Sequence, residues 1–327
     1  MNLRRRSLIA LGSAILLAPR IVAAQQPTRV YRVANLGVGS PITTGVFFDN
    51  FKKGLRDLGY IEGRNIVIDA RWAEGNVERL PGLAAELAAL NPDVIIASGT
   101  PGTRAARQAT GTIPIVMIGV ADPVGAGLVA SLAHPGGNIT GVSNLSLDLS
   151  GKTLELLHVV VPKATRIAVL MSDDSTHPFL LKEIQDAAKR FGLTVLPMRA
   201  KSPEELERAF ASMAKVKAQA VIVLADVVYS GQRNKIAELA ASARLPSMTQ
   251  FREHTEAGGL LSYGPDSRNL QNLVAIYVDK ILKGAKPGDL PVQQPNEFEL
   301  VINLKTAKAL GISFPQEILL RADKVIE

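Results

Sequence analysis

Apolar residues recur along the chain with two spacings, one typical of buried strands and one typical of helices. Short runs such as Asp93–Ala97 and Ile113–Ile118 are rich in β-branched residues, as in strands that are covered on both faces of a parallel sheet. Residues 77–90 instead place leucines three or four positions apart, which is the apolar stripe of a helix. The alternation of such segments over residues 30–142 predicts a doubly wound parallel sheet.

The same alternation restarts after a turn-forming segment at Pro135–Asn138, which predicts a second lobe. Four apolar runs predict its first strands, at Arg166–Met171, Leu193–Met198, Ala220–Ala225 and Pro246–Gln250. The predicted fold class is therefore α/β, with two doubly wound parallel-sheet lobes.

The last part of the chain does not fit two consecutive lobes. A strand at Gly258–Tyr263 is followed by a long amphipathic helix from Ser267, a proline-rich link and another strand at Glu297–Asn303. This order predicts that the chain returns to the first lobe and then ends in the second, which gives three hinge crossings. The predicted boundaries are 28–142 plus 256–290 for the first lobe and 143–255 plus 291–327 for the second.

Residues 1–24 have the three parts of an export signal peptide. Arg4–Arg6 precede an apolar run at Leu8–Leu17, and Val22–Ala24 offers small residues for cleavage. The run is shorter than the roughly 20 residues that a membrane-spanning helix needs. Arg5–Ile9 loosely fits a twin-arginine signal, so that route and the general secretory (Sec) route both stay open. We therefore predict a periplasmic protein.

Charge and composition remove several classes of function. Loss of the four arginines in residues 1–24 lowers the net charge from +7 to +3, which is too small to indicate a nucleic-acid partner. The chain has no cysteine, and its four histidines lack the close spacing of a zinc site. Gly37 and Gly39 begin a dinucleotide-binding motif, but Ile42 occupies the third glycine position. The sequence thus predicts no metal, no cofactor and no catalytic residue.

Three predicted strands end at a turn that starts a helix. Ser40-Pro41, Ser98–Pro101 and Asp122-Pro123 each combine a capping side chain with a proline in the first helical turn. The unpaired N–H groups of these helix ends carry a partial positive charge and lie at the carboxyl edge of the sheet. Open α/β sheets bind ligands at that edge, so we expect the ligand site there.

Several long motifs resemble those of one protein family. They are RWAEG at 71–75, IASGTP at 96–101, ADPVGAGLVASLAHPGGNITGVSNL at 121–145, EAGGLLSYGP at 256–265 and FELVINLKTAKALGI at 298–312. Over nearly its whole mature length the chain is similar to ABC-transporter substrate-binding proteins of the tryptophan/phenylalanine-binder type, which have the type I periplasmic-binding fold. The resemblance implies a bilobed receptor that closes on a small solute and delivers it to an inner-membrane permease. We expect it to act as a monomer.

The resemblance does not extend to Met171–Ser175. Similar sequences usually carry tryptophan, asparagine and proline at the end of this strand, whereas this chain has Ser172, Asp173 and Asp174. Characterised relatives bind aromatic amino acids, and this departure leaves the transfer of that ligand open. An amino acid or a related carboxylate is the solute class that the resemblance favours.

An amino acid needs hydrogen-bond donors for its carboxylate. Ser40, Ser98 and Thr100 offer hydroxyl groups beside predicted helix N-termini, and Gly99 allows the backbone to approach a ligand closely. Ser40 and Thr100 are also expected to cap their helices. Direct contact with the solute and a purely capping role both remain open for them.

Four more residues are candidates for the remaining groups of the solute. Asp122 and Asp226 each follow an apolar strand and offer a carboxylate to an ammonium group; Asp226 is favoured because the next predicted helix begins several residues later. Tyr263 would stack on a solute or pack in the core. Asp173, with its neighbour Asp174, would favour a cationic group or act as a solvated cap.

Two other classes of protein stay open. A two-domain α/β enzyme that acts on a nucleotide sugar would need a catalytic acid or base, and a receptor for a signalling partner would bind a solute without a permease. A DNA-binding regulator with the same core would need a headpiece where this chain has its export signal. Trp72, the only tryptophan, is favoured as a packing or rim residue over a ligand-stacking one.

Overall fold

The computed structural model describes residues 29–144 and 146–327. The predicted export signal lies outside these residues. Within them, no helix combines the length and the apolar composition that crossing a membrane requires. The chain forms two α/β lobes, each organised on its own sheet.

The first lobe contains five parallel strands within residues 29–144. They are β1 (Tyr31–Gly37), β2 (Ile66–Trp72), β3 (Val94–Ser98), β4 (Ile115–Val120) and β5 (Ile139–Ser143). The strand order is β2-β1-β3-β4-β5. The central strands are buried on both faces, which explains why their apolar runs are continuous rather than alternating.

Helices cover both faces of this sheet. They are α1 (Pro41–Asp57), α2 (Leu80–Ala89) and α3 (Gly99–Ala109). Helices α2 and α3 pack on one face and α1 on the other. The predicted start of α1 is confirmed, because the Ser40 hydroxyl accepts from the Thr43 backbone N–H at 3.1 Å and the Ser40 N–H donates to Thr43 Oγ1 at 3.0 Å. This reciprocal pair fixes where the chain turns from β1 into the helix.

The second lobe contains seven strands within residues 146–327. They are β6 (Arg166–Met171), β7 (Thr194–Arg199), β8 (Ala220–Val223), β9 (Ser247–Thr249), β10 (Leu261–Pro265), β11 (Phe298–Asn303) and β12 (Lys324–Ile326). The order is β12-β11-β10-β9-β8-β6-β7. Neighbouring strands run parallel, apart from the antiparallel pair β10 and β11.

The helices of the second half belong to both lobes. In chain order they are α4 (Ser146–Val160), α5 (His177–Phe191), α6 (Glu205–Lys215), α7 (Val227–Gly231), α8 (Arg233–Ser242), α9 (Arg252–Glu256), α10 (Ser267–Leu282), α11 (Leu304–Leu310) and α12 (Gln316–Arg321). Helix α10 packs beside α1 on the sheet of the first lobe, where Leu270, Val274 and Val278 complete the core. The α4 and α5 pair covers one face of the second sheet, and α6 and α8 cover the other.

The described chain passes between the lobes three times, after β5, between β10 and α10, and before β11. The predicted second boundary is wrong for residues 256–265, because β10 pairs with β9 and β11 in the second sheet. The return to the first lobe therefore begins at Ser267. The third boundary also lies later than predicted, since the N–H groups of Val292 and Gln293 still donate to Leu132 and Gly141 of the first lobe.

The predicted helix at Asp122-Pro123 is absent from the structure, which has turns over this stretch. The Asp122 carboxylate accepts from the Gly125 N–H at 2.8 Å, which closes a local turn. Gly127 then adopts a positive φ of 67°, a conformation that a right-handed helix does not contain. Two of the three predicted helix N-termini, at Ser40 and Ser98, therefore remain.

Candidate functional site

A cavity lies between the lobes at the carboxyl ends of their strands, as expected. The first lobe lines it with residues that include Asn35, Gly37, Phe47, Phe48, Phe51, Trp72, Ser98, Gly99, Thr100 and Asn144. The second lobe and α10 contribute others, including Asp174, Thr176, Asp226, Ser230, Phe251, Ser267 and Gln271. The cavity therefore combines aromatic rings with hydroxyl, amide and carboxylate groups.

Five aromatic side chains form what we call the aromatic wall: Phe47, Phe48, Phe51, Trp72 and Phe251. Phe48 meets Trp72 edge to face, with ring centroids 5.6 Å apart and planes at 89°. Phe48 also stacks on Phe51 at 6.2 Å. Edge-to-face and offset stacking are the favoured arrangements of aromatic rings, so the wall suits a flat apolar group.

Gly37 makes the place of Trp72 in this wall possible. The two residues are direct partners in the register of β1 and β2. A Cβ atom at Gly37 would overlap the six-membered ring of the Trp72 indole. A residue without a side chain is thus required at position 37 for the indole to lie against the strand.

The start of α3, which lies within the sequence motif IASGTP, supplies polar groups to the cavity. Ser98 and Thr100 both line the cavity, and neither hydroxyl bonds another described residue. The prediction that Thr100 caps α3 is wrong, because the N-cap position is Ser98 and Thr100 lies within the helix. Gly99 has a positive φ of 65°, and a Cβ atom there would lie 3.0 Å from Val227 of the second lobe. Glycine at this position therefore permits both the turn and the close approach of the two lobes.

Asp226 also lines the cavity, but its carboxylate is already bonded to the protein. Oδ1 accepts from the Val228 N–H at 2.7 Å, and Oδ2 accepts from the Ser172 hydroxyl at 2.6 Å. Asp226 is the N-cap of α7, which begins at the next residue. The prediction that it is not a cap is wrong, because the short helix α7 precedes the predicted one.

Ser172, His177 and Asp226 form a buried cluster whose residue types match those of a hydrolase triad. His177 Nδ1 accepts from the Ser172 N–H at 2.8 Å, while His177 Nε2 lies 3.2 Å from the Ala225 carbonyl oxygen. The Ser172 hydroxyl donates to Asp226 rather than to the imidazole. This cluster joins the ends of β6 and β8 to the start of α5, so its hydrogen bonds organise a turn.

Of the two neighbouring aspartates, Asp174 rather than the predicted Asp173 faces the cavity. The Asp173 side chain is 61% exposed and pairs with Arg199 on the surface. Asp174 Oδ1 accepts from the N–H and the hydroxyl of Thr176, at 2.8 and 2.7 Å. Its other oxygen, Oδ2, has no hydrogen-bond partner among the described residues and stays available to a ligand.

Three other predicted site residues do not line the cavity. Ser40 is engaged in the capping box of α1, and Asp122 closes the turn after β4. Tyr263 packs against the core of the second lobe, with its ring centroid 6.1 Å from that of Phe298. The structure therefore gives these residues capping and packing roles.

The aromatic wall is what the sequence interpretation missed. Phe47 and Phe48 are four and three residues before Phe51, a helical spacing that is typical of core residues, and the sequence favours packing or the rim for Trp72. Phe251 follows β9 in the other lobe and is more than 170 residues away along the chain. The one signal that the sequence offered was Trp72, the only tryptophan of the chain. The pairing of its strand β2 with β1, which ends at Gly37, places it at the cavity.

Ser267 lines the cavity from the first turn of α10. Its hydroxyl group donates a hydrogen bond to the carboxylate of Glu253 in α9. Burial raises the pKa of the Glu253 carboxyl above its ordinary value. This contact joins the two lobes at the second crossing. Within the described residues, no group of three or more histidine, aspartate or glutamate side chains is arranged to hold a metal ion.

The lobes touch each other across the cavity. Val228 of α7 belongs to a core cluster of the first lobe, and Val227 packs against the same cluster. The Arg104 guanidinium on α3 donates to the Ser175 hydroxyl at 3.2 Å. The structure thus has the two lobes in a closed arrangement.

Comparison with known proteins identifies the family. The model of the ABC transporter substrate binding protein family matches residues 45–326. A tyrosine-binding protein of Clostridioides difficile (strain R20291) is 32% identical over 284 residues, which cover 85% of this chain and 81% of the relative.

Two solved structures show how similar the arrangement of the lobes is. The ABC domain of Streptococcus pneumonia in complex with L-Trp is 28% identical, with a TM-score of 0.83 over 91% of this chain and 100% of that one. The ligand-free, open structure of a substrate binding protein with adhesive properties from Clostridium difficile is 27% identical over 91% and 99% of the two chains, with a TM-score of 0.63. The present structure is thus more similar to the ligand-bound one.

The two-lobed α/β fold, the cavity between the lobes and these matches agree with one another. The family consists of receptors that bind a small solute for an ABC transporter, and its members typically act outside the cytoplasmic membrane. The chain belongs to the ABC transporter substrate binding protein family.

Proposed function

We propose that this protein is the periplasmic receptor of an ABC importer and that it closes on a free L-amino acid with an aromatic side chain. The observation that carries the proposal is the cavity between the lobes, where an aromatic wall faces unbonded hydroxyl groups at a helix N-terminus. A solute that fills both parts needs a flat apolar group and a negatively charged group.

The aromatic wall accounts for the flat group. Trp72 and Phe48 of the first lobe and Phe251 of the second line the same space. An aromatic pair adds about 0.5–1.5 kcal/mol beyond the burial of its apolar area. A planar side chain therefore gains more from this wall than an aliphatic one of the same size.

The start of α3 accounts for the carboxylate. The Ser98 and Thr100 hydroxyls and the first N–H groups of the helix are donors, and the helix dipole favours a negative charge at this end. The unbonded Oδ2 atom of Asp174 is the acceptor that we assign to the ammonium group. Asp226 borders the same cavity and would add negative potential, although its two oxygens already accept three hydrogen bonds from the protein.

The relatives support this ligand class. The C. difficile relative is named for tyrosine, and the S. pneumonia structure holds L-Trp. The departure at Ser172–Ser175 changes the turn beside the cavity, but the same turn supplies the carboxylate of Asp174. The turn therefore remains compatible with a zwitterion.

Isothermal titration with L-tryptophan, L-tyrosine and L-phenylalanine tests the proposal, with L-leucine as the aliphatic comparison. Tryptamine and indole-3-propionate lack the carboxylate and the ammonium group respectively, and both should bind weakly. Ser98→Ala should weaken binding of an aromatic amino acid about tenfold, since a hydrogen bond to a charged group is worth about 1.5–3 kcal/mol. Ser131→Ala is the matched control, because Ser131 bonds locally to His134 away from the cavity. Absence of binding by all three aromatic amino acids would overturn the proposal.

The remaining parts of the proposal concern location and partners. We propose export by residues 1–24 through the Sec or twin-arginine route, which the signal pattern supports, and no nucleic-acid partner, which the small charge of +3 after cleavage supports. We also propose a monomeric state and an inner-membrane permease as the partner, as in the family. We also propose that the protein is not an enzyme and uses no cofactor. Incubation with nucleotide sugars should therefore give no product.

A further inference from the structure

Arg233 is a cation of the second lobe that reaches into the first. It is the first residue of α8, and its Nη1 atom donates to the Thr43 carbonyl oxygen at 2.7 Å and to the Ser230 carbonyl oxygen at 3.0 Å. Thr43 lies in the first turn of α1, whereas Ser230 lies in α7. One guanidinium group therefore bonds to a backbone carbonyl of each lobe.

No carboxylate among the described residues forms an ion pair with Arg233. The side chain is partly buried, so its charge is stabilised by two backbone carbonyl dipoles and by the remaining solvent. The charge of Arg233 also acts inside the second lobe. The pKa of His254 is lowered mainly by burial and to a smaller extent by this charge. When the lobes separate, Thr43 moves away and this charge loses its acceptor in the first lobe.

The backbone near Arg233 is shaped for this approach. A Cβ atom at Gly231 would lie only 3.2 Å from Thr43 Oγ1, so the segment that joins α7 to α8 lies directly on the first turn of α1. Ser230 lines the ligand cavity, whereas Arg233 lies outside it in a neighbouring groove. The contact of Arg233 thus depends on closure and not on touching the solute.

The second arginine that crosses between the lobes differs in exposure. Arg104 donates to Ser175 at 3.2 Å, and both residues are exposed. Exposed polar contacts contribute little because water competes for both partners. A partly buried, charge-assisted hydrogen bond is stronger, so Arg233 dominates among these two contacts.

We propose that Arg233 is a positioning residue that holds the two lobes closed and sets the rate at which a bound solute is released. It does so by giving the closed form a hydrogen bond that the open form lacks. The inference rests on the proposed function only in that the closed lobes retain a solute. A ligand or a contact shifts such an equilibrium only by its difference in free energy between the two forms.

Stopped-flow fluorescence of Trp72 with L-tyrosine as the probe separates the two rates. Arg233→Ala should raise koff about tenfold and leave kon within about twofold, because the open form that the solute enters is unchanged. Arg233→Lys keeps the charge and should recover part of the loss. Lys235→Ala is the matched control, since Lys235 lies on the same helix and pairs with Glu207 inside the second lobe.

Spin labels on the two lobes test closure without any amino acid. The chain has no cysteine, so Glu78→Cys in the first lobe and Glu204→Cys in the second, two exposed residues that line one groove between the lobes, give a label pair without background labelling. Arg233→Ala should shift the distances between the labels toward the open form, and Lys235→Ala should not. Label distances and koff equal to those of Lys235→Ala would overturn the inference. If no aromatic amino acid binds, the proposed function fails, while the label distances of the unliganded protein still decide the role of Arg233.

Discussion

The two sides of the cavity differ in how far their polar groups are already used. On the first-lobe side, Ser98 and Thr100 carry hydroxyls that bond no side chain or backbone group of residues 29–144 and 146–327. On the second-lobe side, Asp226 and Ser230 are bonded to their own helix, and one oxygen of Asp174 is bonded to Thr176. The difference teaches that, under the proposed function, the first lobe offers most of the open polar groups to a solute, whereas the second lobe uses most of its own to position its turns.

The same contrast applies to the aromatic wall. Phe47, Phe48, Phe51 and Trp72 all belong to the first lobe, and Phe251 is the contribution of the second. If the proposed function is right, a solute would meet most of its apolar contact area before the lobes close, and closure would add Phe251.

The largest expected effect comes from Gly37→Ala on the first-lobe side. The added methyl group would occupy the space of the Trp72 indole and displace the ring from the aromatic wall. We expect affinity for L-tryptophan to fall about 100-fold, which corresponds to about 3 kcal/mol, as measured by isothermal titration.

Gly45→Ala is the matched control for Gly37→Ala. Gly45 lies within α1 of the same lobe, and a Cβ atom there would contact nothing within 4 Å. This variant should bind normally and unfold at the same temperature or a higher one, because alanine favours helix. Normal binding by Gly37→Ala would show that the wall does not contribute to recognition.

A smaller effect, on stability rather than on recognition, is expected from Asp226→Ala in the second lobe. The change removes the N-cap of α7 and leaves the Ser172 hydroxyl without its acceptor. We expect the free energy of unfolding in the absence of solute to fall by about 2 kcal/mol in urea titrations.

Asp173→Ala is the companion variant, since the exposed pair of Asp173 with Arg199 should contribute almost nothing. Because Asp226 caps α7 and accepts from Ser172, the main effect of Asp226→Ala should be a loss of stability of the unliganded protein. A variant that unfolds like the wild type but no longer binds an aromatic amino acid would instead make Asp226 a direct ligand of the solute.

The smallest effect is an acid sensitivity located in the second lobe. Burial, assisted by Arg233, lowers the pKa of His254 from 6.5 to about 4. Between these values the unfolded chain binds more protons than the folded one, so stability falls as the pH is lowered through this window. By pH 5.5 the loss should be about 1 kcal/mol.

Comparison of the wild type with His254→Gln isolates this contribution. The raised pKa values of the partly buried Glu253 and Glu299 act in the opposite direction, because their protonation on acidification favours the folded form. Between pH 7.5 and 5.5, the free energy of unfolding of the wild type should therefore fall by about 1 kcal/mol more than that of the variant, as measured by urea titration. The exposed His134→Gln should follow the wild type, and parallel curves for His254→Gln would disprove the assignment.

Local patterns predicted much of the fold because they depend on neighbours in the sequence. The run at 93–97 became β3 (Val94–Ser98), and Ser40-Pro41 started α1 as expected. Pairing between strands is not local. Nothing in the strand at 261–265 says that it joins β9 and β11 rather than the sheet of the first lobe, so the second crossing was misplaced.

The candidate site was predicted in part for the same reason. Ser98, Gly99 and Thr100 lie in one turn, and that turn reaches the cavity by itself. The aromatic wall needs the register of β1 with β2 and the packing of α1, which bring Phe48 within 5.6 Å of Trp72. Asp122 misled the prediction because it starts only one turn: the Ala126 N–H donates to the Asp122 carbonyl oxygen, but Gly127 then adopts a positive φ and the helix does not continue.

Helix α10 has a consequence for the order in which the protein is assembled. The sheet that it covers is complete at Ser143, but the helix begins at Ser267, after most of the other lobe has been synthesised. Until then Val33, Ile96 and Val116 lack the apolar cover of Leu270 and Val274. The first half of the chain therefore cannot finish folding as it leaves the ribosome, and fragments that end before residue 282 should be substrates for chaperones and proteases.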